Sequence, residues 1–313
     1  MLEAVRLLVS DGSFGVIRDV LNRREEDLPA ASSHGYSAFS CLFRRDSPQE
    51  QGFRITSGER FLSANTRLLR RLEGDEGAVR YEPLGPNSDP DDAELYFEVN
   101  SPGRRRRFLH NERFRFPGNL GRPGELAENA CVFIGTGGLS RQEFTALWSG
   151  VALTEMEDRI NRSMRECFSE VERISAIPMV KDSNVIAKVR GSDRPVSLKS
   201  IGEGANRLFG LALAVANARN GVLLVDEVEI GLHYSNQIAL WRLLVQMALE
   251  FRVQIFATTH SEDAIRAFSI ATKENEAVEG QLIRLQSRGG QIEAVAFDED
   301  ELVGARDAGS ELR

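Results

Sequence analysis

The hydrophobic pattern of residues 181–313 alternates short apolar runs with longer amphipathic stretches. The runs VLLVDE and VQIFATTH predict two buried strands that end in polar residues, and the stretches around them predict helices at 202–221, 234–251 and 261–274. Continuous apolar strands that alternate with helices are typical of a parallel sheet covered on both faces. We therefore predict an α/β fold in which ligands bind at the carboxyl ends of the strands.

The pattern before residue 181 is of a different kind. Two short helices are predicted within residues 1–24, and residues 50–116 predict an antiparallel β part built from FRIT, AVRYEPL, ELYFEVN and RRRFLH. Residues 141–177 predict the longest helical stretch, which Pro178 ends, and NVIAKVR and PVSLKSI predict two further strands. The expected domains are an N-terminal part at 1–140, a helical subdomain at 141–180 and a C-terminal part at 181–313.

Composition narrows the class of protein without naming a function. The chain has 42% hydrophobic and 27% charged residues, which is ordinary for a globular protein. Its net charge of −8 argues against a uniformly basic nucleic-acid-binding surface, although a local basic patch stays possible. Three widely spaced cysteines form no zinc or disulfide pattern, and no apolar run is long enough to span a bilayer, so we expect a cytoplasmic protein.

Three polar clusters are candidates for chemistry. Asp226 and Glu227 end the first buried strand, where a carboxylate can hold Mg²⁺ and another can polarise water. His260 ends the second strand, and the glycines of SIGEGANR at 200–207 let backbone N–H groups approach a phosphate at a helix start. Taken one at a time, each cluster also fits a helix cap or an ordinary loop.

The order and spacing of these clusters resemble the ATP-binding-cassette (ABC) class of P-loop ATPases. The segments SLKSIGEGANRLFGLALAVANARNGVLLVDEVEIGLHYSNQIALWRLL and VQIFATTHSEDAIRAF are most similar to AAA-family, OLD-like (overcoming lysogenization defect) ATPases. The resemblance is strong over residues 196–270, fainter over 136–160 and the closing hairpin, and slight over 25–130. It implies a P-loop NTPase fold of the ABC type, with residues 1–140 as a truncated N-terminal ATPase lobe.

The resemblance implies a role for each candidate residue. The signature motif, which contacts ATP held by the opposite subunit, would comprise Ser200, Gly202, Glu203 and Gly204. Asp226 would be the Walker B metal carboxylate, Glu227 the catalytic carboxylate and His260 the switch histidine. Gly231, Leu232 and His233 would form the D-loop, where many such ATPases carry Asp in place of His233.

The phosphate-binding motif G-x-x-x-x-G-K-S/T has no match in this sequence. In the resembled family this motif runs into a helix that reads much like LEAVRLL, so Met1 is expected to follow a lost Walker A segment. A Q-loop glutamine cannot be placed, because Gln49, Gln51 and Gln142 have no distinguishing context. Without a P-loop, the phosphates of ATP lose their main compensating contacts.

One basic cluster, Arg104–Arg107 with Arg113 and Arg115, has Phe108, Phe114 and Phe116 interleaved. It fits a DNA-contacting surface, because arginines neutralise phosphates and aromatic rings stack on bases. It also fits a solvated strand edge, where charge prevents aggregation.

The function that the resemblance implies for the complete protein is Mg²⁺-dependent ATP hydrolysis by a homodimer that sandwiches ATP head to tail and opens after hydrolysis. Related ATPases act in DNA repair or anti-phage defence, and the partner expected here is a separately encoded nuclease or other effector. DNA is a weaker candidate partner, and no membrane association is expected. The alternative is a degenerate, non-catalytic partner of an intact ATPase.

Overall fold

The computed structural model describes residues 1–23, 52–73, 79–83, 94–109, 131–177, 184–275, 277–289, 291–298 and 301. The chain divides into two compact units, one formed mainly by residues 3–125 and the other mainly by residues 126–313. Each unit has a hydrophobic core of its own. The divisions expected after residues 140 and 180 stay predictions.

The first unit combines two helices with a five-stranded antiparallel sheet. Its elements are α1 Leu2–Val9, α2 Phe14–Arg23, β1 Gly52–Ser57, β2 Arg60–Glu73, β3 Val79–Pro83, β4 Glu94–Ser101 and β5 Arg104–Leu109. The strand order is β1-β2-β4-β5, and β3 pairs with β2. Successive side chains of a strand point to opposite faces, so Leu62 and Ala64 of β2 reach the same buried core as Phe97 and Val99 of β4.

The second unit contains three small sheets, six α-helices and a 3₁₀ turn at Tyr234–Asn236 among its described residues. Its elements are β6 Cys131–Ile134, α3 Arg141–Val151, α4 Glu155–Cys167, β7 Val171–Ile177, β8 Asn184–Val189, β9 Val196–Ser197, α5 Leu198–Ile201, α6 Glu203–Asn217, β10 Val222–Val225, α7 Gln237–Phe251, β11 Gln254–Ala257, α8 Glu262–Lys273, β12 Leu282–Arg288 and β13 Gln291–Phe297. The sheet β11-β10-β6 is parallel, which confirms the α/β fold class.

Helix α6 lies at the centre of the second core because it is apolar on nearly all sides. Its residues Leu208, Phe209 and Leu211 are fully buried. The ring of Phe209 lies 5.9 Å from the rings of both Phe144 and Trp148 on α3. This packing holds the middle of α6 against α3.

The predicted helix over 141–177 is wrong in its last part. The helical residues form α3 and α4, with Leu153 between them at φ +60, and residues 171–177 form strand β7. β7 pairs with β8, and this pairing buries Val171 and Ile174. The predicted strand PVSLKSI is also shorter than expected, since only Val196–Ser197 is a strand and Leu198–Ile201 is helical.

Several other predictions are confirmed. The structure has strands at FRIT, VRYEP, ELYFEVN and RRRRFL, and it has the closing hairpin of β12 and β13. The longest strand, β2, was not predicted, because its arginines obscure the alternation of its apolar residues. Within the described ranges, no helix is both long enough and apolar enough to cross a membrane.

Candidate functional site

The candidate site lies at the carboxyl edge of the parallel sheet. Val225 of β10 is in register with Ile134 of β6 and with Ala257 of β11, so the residues that follow these three strands emerge side by side. The Asp226 N–H donates to the Ile134 carbonyl at 2.8 Å, and the Thr258 N–H donates to the Val225 carbonyl at 2.9 Å. The ladder therefore continues one residue beyond each strand and fixes Asp226 beside Thr258.

The Thr258 hydroxyl joins the two carboxylate residues that follow β10. It donates to Asp226 Oδ1 at 2.6 Å and accepts from the Glu227 N–H at 2.9 Å. The backbone of Val228 also donates to the Thr258 carbonyl at 3.0 Å. One threonine thus orients the Asp226 side chain and holds the backbone of Glu227.

Glu227 is held in an uncommon backbone conformation next to His260. Its φ is +46, in the left-handed region that side-chain-bearing residues seldom adopt, and such residues often lie at functional sites. Its Oε1 is 3.9 Å from His260 Nε2, and the His260 side chain is 86% exposed. The structure therefore brings Asp226, Glu227 and His260 together at one edge of the sheet, where the His260 side chain is open to solvent.

The carboxylates of this edge fit a magnesium ion bound mainly through substrate and water. Among the described residues, no group of three or more His, Cys, Asp or Glu side chains forms a metal site of its own. Mg²⁺ in phosphoryl-transfer enzymes is held by one or two carboxylates together with phosphate oxygens and waters. Asp226 suits this role, because the bond from Thr258 occupies only its Oδ1.

The predicted signature residues form a sharp break between two helices. Ser200 lies on α5, and its hydroxyl donates to the Ser197 carbonyl at 2.7 Å. Gly202 follows α5 with φ +144, a backbone conformation that favours glycine, and α6 begins at Glu203 with no side-chain cap. The first N–H groups of α6 are thus available to an external acceptor.

The signature segment packs on the predicted D-loop of the same chain. A Cβ added to Gly204 would lie 3.2 Å from Leu232 Cδ2, closer than most carbon contacts. Gly231 has φ +77. His233 caps the 3₁₀ turn Tyr234–Asn236 because its Nδ1 accepts from the Ser235 N–H at 3.4 Å, and Nδ1 also lies 2.9 Å from Ser235 Oγ. His233 therefore serves a local cap in this structure.

Two groups of predicted residues are separate in the structure. Asp226, Glu227 and His260 form one cluster, and Gly204 contacts Leu232 in another. Among the described residues, no hydrogen bond or ion pair links Ser200, Gly202, Glu203 or Gly204 to the first cluster. Sequence reasoning missed Thr258 and Glu229, which occupy the first cluster; the polar run ATTH and the third acid in VDEVE were the available signals.

The arginines of β5 are engaged within the first unit. Arg106 donates to the Asp11 carbonyl, Arg105 Nε donates to Asn100 Oδ1 at 2.9 Å, and Arg107 Nε donates to Glu98 Oε2 at 2.8 Å. Burial would raise the pKa of Glu98, but hydrogen bonds from Arg107 and Asn100 outweigh it and hold that pKa below its usual range. β5 lies at the edge of its sheet, as the strand-edge interpretation requires.

The remaining members of the predicted basic cluster, Arg113, Arg115, Phe114 and Phe116, lie outside the described residues, as do Gln49 and Gln51.

Sequence comparisons match the second unit to ATPases. A family model for an AAA ATPase domain matches residues 150–265. An uncharacterized protein of Methanocaldococcus jannaschii is 33% identical over 92 residues, which are 29% of this chain and 80% of that protein. An ATP/GTP phosphatase of Helicobacter pylori is 24% identical over 129 residues, and the match spans 39% of this chain but only 33% of that protein.

Solved structures of SMC ATPase heads also align with the chain. The SMC head domain from Thermotoga maritima aligns at 15% identity and a TM-score of 0.38, covering 78% of this chain and 76% of that one. An SMC head bound to the C-winged helix domain of ScpA aligns at 13% identity and a TM-score of 0.35, covering 77% and 75%. Because these TM-scores are low, the family assignment rests on the sequence matches.

Proposed function

The chain belongs to the AAA ATPase family, and we propose that the complete protein binds and hydrolyses ATP as a head-to-tail dimer. The observation that carries this proposal is the cluster at the carboxyl ends of β10 and β11. There Thr258 bonds to Asp226 and to the Glu227 backbone, and His260 faces Glu227 at 3.9 Å. A paired acid, a hydroxyl and a histidine at such an edge suit the binding and activation of a phosphate group and water.

Each residue has a distinct part in the proposed reaction. Glu227 accepts hydrogen bonds from the attacking water and polarises it, while His260 contacts the γ-phosphate and senses its presence. Asp226 would hold Mg²⁺, which neutralises charge on the phosphates when it is bound. The signature residues Ser200, Gly202, Glu203 and Gly204 contact the nucleotide of the opposite subunit through the open N-terminus of α6.

The proposed role of hydrolysis is a conformational switch, because loss of the γ-phosphate removes contacts that join the two copies. The segment Gly231, Leu232 and His233 would face the partner copy as the D-loop. We further propose a separately encoded effector, such as a nuclease in DNA repair or anti-phage defence. The proposed compartment is the cytoplasm, which supplies ATP and keeps thiols such as Cys131 and Cys167 reduced.

Glu227→Gln tests the hydrolytic part of the proposal. The substitution keeps the side-chain shape but removes the charge that polarises water, so we expect ATP turnover to fall on the order of 100-fold or more. ATP-bound dimers should accumulate, as measured by light scattering with ATP and Mg²⁺. Glu166→Gln, on the exposed face of α4, is the matched control. Equal turnover in the two variants would contradict the role of Glu227.

A second candidate is a non-catalytic partner of an intact paralogue. It is favoured by one observation, since the printed sequence has no G-x-x-x-x-G-K-S/T. This candidate predicts no ATP turnover by the chain alone and no effect of Glu227→Gln on any mixed assembly. Turnover by the purified chain that depends on Glu227 would exclude it.

A further inference from the structure

Two partly buried side chains of opposite charge, Arg207 and Glu229, interact electrostatically in the second unit, where Arg207 lines the same cleft as Ile230, the neighbour of Glu229 in the chain. Within the described part of the chain, Nε and Nη2 of Arg207 and Oε2 of Glu229 are buried and have no hydrogen-bond partner. Burial lowers the pKa of Arg207, and the nearby Glu229 carboxylate opposes that shift. The two side chains therefore interact through their charges, although no hydrogen bond joins them.

Glu229 is also attached to the candidate site. Its other oxygen, Oε1, accepts from the His260 backbone N–H at 2.9 Å. Its own carbonyl accepts from the Leu232 N–H at 3.0 Å. One glutamate thus holds both the loop that carries His260 and the segment 231–233.

Arg207 belongs to the helix that begins with the signature segment. It lies one turn beyond Glu203 on α6, and a Cβ added to Gly138 would lie 3.4 Å from Arg207 Nη1. A cleft of about 210 Å³ separates α6 from the turn after β6, and its lining includes Gly137, Arg207 and Ile230. Arg207 therefore has room to move when α6 shifts.

We propose that Glu229 is a positioning residue that couples Arg207 on α6 to the loop carrying His260. A carboxylate that is partly shielded from water is stabilised by a nearby cation and loses that stabilisation when the cation moves away. The position of Arg207 therefore determines how firmly the Glu229 carboxylate holds the His260 backbone N–H. This inference rests on the proposed function, in which α6 contacts the opposite subunit's nucleotide. A shift of α6 in one composite site would then reach His260 of the other site.

Hydrogen exchange at the His260 amide tests the coupling without any need for ATP turnover. Glu229→Ala removes the acceptor, so exchange should become roughly tenfold faster. Glu229→Gln keeps an acceptor oxygen of the same shape, and exchange should stay within about twofold of the unchanged protein. The same rate in Glu229→Ala as in the unchanged protein would overturn the first half of the proposal.

A double-mutant cycle tests the contribution of Arg207. Arg207→Met should make His260 exchange roughly fivefold faster when Glu229 is present, and should have no effect in the Glu229→Gln background. Arg207→Lys should restore most of the protection, because it keeps the charge. Arg219→Met, an exposed arginine just after α6, is the control. An effect of Arg207→Met that is equal in both backgrounds, or absent from both, would overturn the coupling.

Kinetics separate this inference from the proposed function. If the protein hydrolyses ATP, Arg207→Met and Glu229→Gln should each lower kcat severalfold with little change in KM, and the double variant should lose no more than the more impaired of the two single variants. If the reductions in kcat of the two single variants multiply in the double variant, the proposed coupling is overturned. If the protein hydrolyses no ATP, the proposed function fails and the exchange cycle still decides whether Glu229 and Arg207 are coupled.

Discussion

At the scale of single residues, Thr258 organises the candidate site more than any predicted residue does. Its hydroxyl bonds once to the Asp226 side chain and once to the Glu227 backbone. These bonds link the ends of β10 and β11. The register between the two strands therefore determines where the Asp226 carboxylate and the Glu227 backbone lie. The strained φ of Glu227 is retained because this bridge and the neighbouring ladder restrain it.

Replacing Thr258 by Val should therefore destabilise the fold by about 1–3 kcal/mol, because two partly buried polar groups lose their partner while the volume stays the same. Thr258→Ser keeps the hydroxyl and should lose much less. The free energy of unfolding of the two variants in urea gives the comparison. A larger loss in Thr258→Ser than in Thr258→Val would show that the methyl group, rather than the hydroxyl, matters at this position.

The shared position of Asp226, Glu227 and His260 was predictable because each lies within three residues of the end of an apolar strand, and strand ends of a parallel sheet share one edge. Thr258 and Glu229 were not, because their partners lie 32 and 31 residues away in the chain and depend on the exact strand register. The roles given to Asp226, Glu227 and His260, and those given to the signature and D-loop residues, stay predictions.

At the scale of elements, α4 and β7 show how a tertiary contact replaces a predicted helix. Asn161 of α4 accepts from the Ile174 N–H at 2.6 Å and donates to its carbonyl at 3.3 Å, as a neighbouring strand would. Glu157 binds Arg173 at 2.6 Å. Residues 171–177 form a strand because β8 and α4 supply hydrogen-bond partners for it. A prediction from the local hydrophobic pattern does not include these partners, because they come from other parts of the chain.

The Glu157–Arg173 pair makes stability depend on pH. Burial would raise the pKa of Glu157, but hydrogen bonds from Arg173 and the Leu153 N–H hold it below its usual range. The stabilisation is therefore complete above the unfolded pKa of about 4.3 and is lost as the pH falls through the lower, folded pKa. The measurement is the free energy of unfolding as a function of pH. In Glu157→Gln this free energy should fall less steeply as the pH drops below about 4.3. An unchanged slope would contradict the assignment.

The two glycines inside α6 should respond differently to alanine. A Cβ at Gly210 would lie 3.5 Å from Leu139 Cδ1, an ordinary contact, so Gly210→Ala should stabilise by about 0.5–1 kcal/mol through helix propensity. A Cβ at Gly204 would lie 3.2 Å from Leu232 Cδ2, so Gly204→Ala should gain less or lose stability. Melting temperatures measure both, and the opposite ranking would contradict the tight packing at Gly204.

At the scale of the whole molecule, charge argues against DNA as a ligand of β5. The chain carries a net charge of −8, and Arg105, Arg106 and Arg107 each bond within the first unit. An arginine that is already hydrogen-bonded within its own chain gains less free energy when it binds a DNA phosphate. The described arginines thus fit a strand edge better than a nucleic-acid surface.

We accordingly expect no binding of short duplex DNA tighter than about 10 μM at about 50 mM salt, measured by fluorescence anisotropy. Arg104→Gln with Arg105→Gln should leave the result unchanged. Binding that weakens steeply with salt and is lost in the double variant would contradict this expectation and restore the DNA-binding interpretation.

The helix starts of the second unit differ in a way that bears on assembly. Ser140, Thr154 and Ser261 cap α3, α4 and α8 with their own side chains, whereas α5, α6 and α7 begin without a side-chain cap. At α6 the N-cap residue is Gly202, which has no side chain that could serve as a cap. In the proposed dimer, the nucleotide of the opposite subunit completes this helix from outside. Each subunit alone would then carry an unfinished helix, and its first turn would fray in solution and become ordered on assembly. The nucleotide bound to one chain would thus supply the hydrogen-bond acceptors that complete the first turn of α6 in the other chain.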